Sequence, residues 1–139
     1  MADWRETTGD GLHPVHAILL GFPIALFSSA LVADVAYLRT AEIQWTNFSA
    51  WLISGALLIG GLLLAWALIS LVIGWRSEGQ RTRRLLYVFI LAAMLALGLV
   101  NIFKHSMDAW SSVETLGLVL TVLCTLLALL AGAIAFTRA

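Results

Sequence analysis

Cysteine occurs once in this chain, proline twice, and charged side chains make up only 12% of its 139 residues. Each scarcity excludes something. A lone cysteine, Cys124, cannot form an internal disulfide, and inside the last apolar run it reads as a small core residue. Lys+Arg 8 against Asp+Glu 8 leaves no basic surplus, so nucleic acid is not an expected partner. Loops are too short to hold a soluble module, and no nucleophile with its base, paired catalytic carboxylates or phosphate-cradling glycine loop occurs; an enzyme is not expected.

What the chain has in abundance is apolar length. Hydrophobic residues make up 61% of it, concentrated in four runs at about 14–38, 48–75, 85–103 and 115–137. A hydrocarbon layer of about 30 Å needs roughly 20 helical residues per crossing, and each run approaches or exceeds that length. The runs lack strand alternation and are too long for barrel staves. The expected fold is all-α: a single domain over 1–139, built as an integral membrane antiparallel four-helix bundle. A cleaved signal peptide with Ser28-Ser29-Ala30 as its site is the competing account of the first run. The preceding segment mixes Asp3, Arg5, Glu6 and Asp10 instead of being basic, so the first helix is expected to stay.

Orientation follows from Lys and Arg in short loops. Arg76, Arg81, Arg83 and Arg84 share one side with Arg5 and Arg138, whereas the other side holds Arg39 and Lys104. Both termini are therefore expected in the cytoplasm. Trp4, Trp75 and Tyr87 fall near that interface, and Tyr37, Trp45, Trp51 and Trp110 near the opposite one; Trp66 lies deep in a span.

Helix cohesion in lipid depends on close backbone approach through small residues. Gly21, Ala25, Ser29 and Ala33 recur every four residues on the first helix. Ala56, Gly60, Gly61 and Ala65 on the second, Ala92 and Ala96 on the third, and Ala128 and Gly132 on the fourth offer similar faces. Packing inside the bundle is the favoured use of these stripes, with homodimerisation as the alternative. Pro23 frees the carbonyl of Leu19 and is expected to bend the first helix.

His13 and His16 stand three residues apart where the first helix starts, so their imidazoles project from nearly one face and could ligate a metal ion or the iron of a haem b. Capping of the helix start is the simpler role. A metal needs three or four ligands, and the same side adds only Asp10. His105, the third histidine, is expected a bilayer away from His16, which excludes an intrachain bis-histidine haem; a second subunit would have to supply the other ligand. No cofactor is the first expectation, with haem b or a metal ion as the alternative. At the far side Asp34 lies near Asn101, Lys104, His105 and Asp108, and a link from Asp34 to Lys104 or Asn101 is expected to tie the first helix to the third. A proton or ion path would require further polar groups at mid-membrane. Arg81, Arg83 and Arg84 could contact phosphates of anionic lipids or the propionates of a cofactor, although topology alone accounts for them.

His13-Pro14-Val15-His16 followed by Phe22-Pro23-Ile24-Ala25-Leu26 resembles the opening of a bacterial family catalogued as domain of unknown function 2231. The resemblance implies a small four-span protein of the bacterial inner membrane, and Asp34 resembles an aspartate frequent in that family. Many members carry a further histidine where this chain has Gly21, and another where its third helix starts with arginines; both departures weaken a haem reading. Some members are joined to redox domains. The expected function is a non-catalytic accessory or scaffolding subunit of a larger electron-transfer or photosynthetic membrane complex. Its partners would be lipids and that complex or further copies of the chain. A haem- or metal-binding redox protein using His13 and His16 is the alternative, and a small transporter or channel ranks last.

Overall fold

A computed structural model describes residues 12–76, 78–107 and 113–137. Four helices account for nearly all of them: α1 (Pro14–Thr40), α2 (Ile43–Ile73), α3 (Glu78–His105) and α4 (Thr115–Phe136). All four are long and apolar enough to cross a membrane. Lipid offers no partner to a free backbone group, so each span closes its own hydrogen bonds as a helix. The candidate positions Arg5, Asp10, Asp108 and Arg138, with Trp4 and Trp110, lie outside the described residues.

Local chemistry sets the helix ends. His13 caps α1, its Nδ1 accepting from Val15 N–H at 3.3 Å, and Pro14 fills the first helical position. Proline is tolerated there because that N–H would have no helical partner. The helix runs on through Pro23, which is buried. It stops at Ala41, whose left-handed conformation (φ 55°) lets its N–H reach the Tyr37 carbonyl at 2.7 Å. This closure reverses the chain within two residues and lays α2 directly along α1. Two helices start earlier than the apolar runs indicate, α2 at Ile43 and α3 at Glu78. Arg81, Arg83 and Arg84 therefore belong to the first turns of α3, not to a loop.

Packing follows a ring: α1 on α2, α2 on α3, α3 on α4 and α4 back on α1. Leu20 and Phe27 of α1, Ile53 and Leu63 of α2, and Leu91 and Met94 of α3 are fully buried and form an apolar waist. Cys124 and Ala128 of α4 complete it.

The small-residue stripe of α1 departs from expectation. Ala33 is buried, but Gly21, Ala25 and Ser29 point away from the bundle, as do Ala92 and Ala96 of α3. Leu20, Phe27 and Ala30 occupy the inward face instead. The physical reason is angular: a strict four-residue repeat advances about 40° per step relative to a helix of 3.6 residues per turn, so one row cannot stay on the core face. Ala56 and Gly60 of α2, and Ala128 and Gly132 of α4, do face inward.

Candidate functional site

Polar side chains inside this bundle collect in two groups, one at each end, with the apolar waist between them. His16 and Asp34 are separated by eighteen residues of α1. At 1.5 Å per residue that places the groups about 27 Å apart. His16 and His105 thus sit at opposite ends, beyond the reach of one iron.

Where α1 begins, His16 is buried and its Nε2 lies 2.8 Å from the Tyr87 hydroxyl of α3. The indole of Trp66, on α2, stands 5.6 Å from the His13 ring and 5.5 Å from the His16 ring, the latter edge-on. Tyr87 completes the aromatic group, 5.7 Å from His16. These rings border a cavity of about 690 Å³ that all four helices line, with Ser70, Gln80 and Arg83 as its other polar contributors. Leu12, Ala17, Ile134 and Phe136 supply apolar wall, and no carboxylate appears in the lining among the described residues.

The three arginines have contacts within the chain. Arg83 Nε donates to the Ile134 carbonyl at 3.2 Å, and its Nη2 donates to the carbonyls of Ile134 and Thr137. It thereby caps the last turn of α4, where helical carbonyls lack partners. Arg81 lies over the Trp75 ring at 3.9 Å. Arg84 packs across Gly74, where a Cβ would collide with its guanidinium; its Nη1 is buried and has no hydrogen-bond partner among the described residues.

Where α1 finishes, Asp34 is fully buried. Its Oδ1 lies 2.9 Å from His105 Nε2, and its Oδ2 accepts from the Thr121 hydroxyl at 2.6 Å. Thr121 in turn accepts from Asn101 Nδ2 at 2.9 Å. The tie from α1 to α3 therefore runs through His105, not Lys104, and Asn101 reaches Asp34 only by way of Thr121. Lys104 is only half-buried, whereas His105 shares the buried face of Asn101, four residues and about one turn earlier.

Proton bookkeeping at His105 is constrained. Its Nδ1 faces the Asn101 carbonyl at 3.0 Å while Nε2 faces the carboxylate. Both ring nitrogens thus face oxygen atoms, and a ring protonated at both would donate to each. Asn101 Oδ1 remains buried without a partner among the described residues.

Both polar ties cross the ring diagonally, His16 to Tyr87 and Asp34 to His105, each linking α1 to α3, which stand opposite one another in the ring. Sequence reasoning noted Tyr87 and Trp66 only for their depth and gave Thr121 and His105 no part in the tie to Asp34. Trp66, expected deep in a span, stands beside the His13 cap at the end of the bundle.

Among the described residues no three His, Cys, Asp or Glu side chains converge as metal ligands. A bis-histidine haem does not fit either. His13 and His16 rise from the same turn of α1, so they cannot approach one iron from opposite faces, and Tyr87 already holds His16 Nε2.

The model of a family described as predicted membrane protein, DUF2231, matches residues 12–136. The chain belongs to that family. The matched region begins just before the His13 cap and ends with α4, so both polar groups and the cavity fall inside it. No curated protein and no solved structure shows a significant match.

Proposed function

We propose that this membrane protein is a non-catalytic accessory subunit of a larger electron-transfer assembly in the bacterial inner membrane. The observation that carries the reading is the outward face of α1. Gly21, Ala25 and Ser29 lie in one exposed row, and no other side chain among the described residues stands within 4 Å of where a Cβ on Gly21 would be. Small side chains on a lipid-facing surface give the monomer little packing, but they let a second helix approach closely. The His, Tyr and Trp lining of the cavity supports an electron-transfer setting over a purely structural one, because such groups stabilise flat, polar-edged redox molecules.

Native electrophoresis in mild detergent, with cross-linking to identify the partner, tests this directly. The wild-type chain should migrate as part of a larger species, and Ala25→Leu should shift it to the monomer with unchanged helix content and thermal midpoint. A wild-type chain that is monomeric in native membranes would remove the proposal.

The same reading puts both ends of the chain and the arginine-rich start of α3 in the cytoplasm. A cysteine introduced at Arg81 should react with an impermeant maleimide only after the membrane is opened; labelling from the periplasm of intact cells would invert the orientation.

A second reading, a redox protein that binds haem or metal through His13 and His16, draws on both imidazoles bordering the cavity. It needs a ligand from another subunit. A Soret band lost in His16→Ala would favour it.

A further inference from the structure

We propose that the cavity where α1 begins binds the head of a lipid-soluble quinone, an inference that rests on the electron-transfer reading above. Four features of the cavity define the occupant. Its volume, about 690 Å³, exceeds what a headgroup needs and leaves room for the first part of an apolar tail. It lies among the ends of four helices that are long and apolar enough to cross a membrane. A flat ring would lie against Trp66, the indole shared by both imidazoles.

Charge decides between headgroups. The lining has one cation, Arg83, and no carboxylate among the described residues, so a cationic head is disfavoured. An anionic phosphate would want several free cationic donors. Arg83 has already committed Nε and Nη2 to the carbonyls that end α4, while Arg81 and Arg84 do not border the cavity. A neutral ring with carbonyl oxygens fits better. If His16 Nε2–H donates to the Tyr87 oxygen, the Tyr87 hydroxyl is free to donate to a quinone carbonyl, and the Gln80 amide at the rim offers a donor for the other.

Decylubiquinone is the probe, titrated into the purified full-length chain in detergent while tryptophan fluorescence is followed. Saturable quenching is expected above the linear background from micelle partition. Trp66→Phe should remove the saturable part, leaving the other five of the six tryptophans with background quenching. Tyr87→Phe should weaken binding about tenfold, the worth of one hydrogen bond to a ligand. Should Tyr87→Phe fail to fold, Gln80→Leu, a change at an exposed position, is expected to weaken it severalfold.

Quenching that never saturates, or that is unchanged in Trp66→Phe, overturns the proposal. Displacement of the probe by equimolar dioleoylphosphatidylglycerol overturns it in favour of a lipid site, and displacement by haemin does so in favour of haem. Assembly is read separately on the native gel: saturable binding by a monomeric chain defeats the subunit reading but not the quinone site, and an assembled chain without binding does the reverse.

Discussion

Asp34→Ala should destabilise the bundle by about 3 kcal/mol, at the low end of the range for breaking a buried charged pair. The truncation leaves the Thr121 hydroxyl and His105 Nε2 facing a void in a fully buried site. An average interhelical hydrogen bond in lipid contributes only about 0.6 kcal/mol, because the separated helices find other partners. The larger figure is expected here because one fully buried side chain joins three helices. Asp34→Asn should behave quite differently. Its amide can donate to Nε2 of a neutral His105 and accept from Thr121, reproducing both bonds without a carboxylate, so a cost under about 1 kcal/mol is expected. Titration with sodium dodecyl sulfate, followed by circular dichroism, measures both. Equal damage from the two substitutions would show that the carboxylate itself, and not the hydrogen-bond geometry, holds the cluster together; no damage from either would show the cluster to be structurally idle.

Gly98→Leu should also unfold the bundle at markedly lower detergent fraction, with a loss of about 3 kcal/mol, the upper end for overpacking a core. A Cβ alone at Gly98 would stand 2.6 Å from Leu57 Cδ2 of α2 and 3.4 Å from Phe27 Cζ of α1. The first contact is with the end of a flexible, half-buried side chain, so Gly98→Ala can be absorbed by rotating Leu57, at about 1 kcal/mol. A leucine has no such outlet: Phe27 is fully buried and the added branches must separate α3 from α2. Gly21→Leu is the control, since no neighbouring helix among the described residues comes within 4 Å of a Cβ there. The same titration should find it as stable as wild type, and comparable losses at both positions would contradict the packing described.

The membrane fold was legible in the residues because length and apolarity are local properties. A run that must close every backbone hydrogen bond in lipid becomes a helix whatever its neighbours do. Even so, the extent of α3 was underestimated, because its first turns carry Arg81, Arg83 and Arg84, and polar residues at a span's end look like loop when hydropathy is the guide. The site was legible in fragments. His13, His16 and Asp34 stand out in any reading of this sequence, and the two ends of the bundle follow from helix count.

Partnership was not legible. Lys104 and His105 are neighbours in sequence, yet the roughly 100° between consecutive helical residues turns one away and sends the other to Asp34. The row of Gly21, Ala25 and Ser29 looked like packing surface until Leu20, Phe27 and Ala30 took the inward face. By itself, then, the sequence determined that four helices cross a membrane and which polar groups lie at which end, since both depend on the order of residues along each span. Only the tertiary structure decided that Asp34 meets His105 and Thr121, that His16 meets Tyr87 beside Trp66, and that a cavity opens there. Those outcomes depend on how each helix is rotated about its own axis, which is set by side chains of the neighbouring helices.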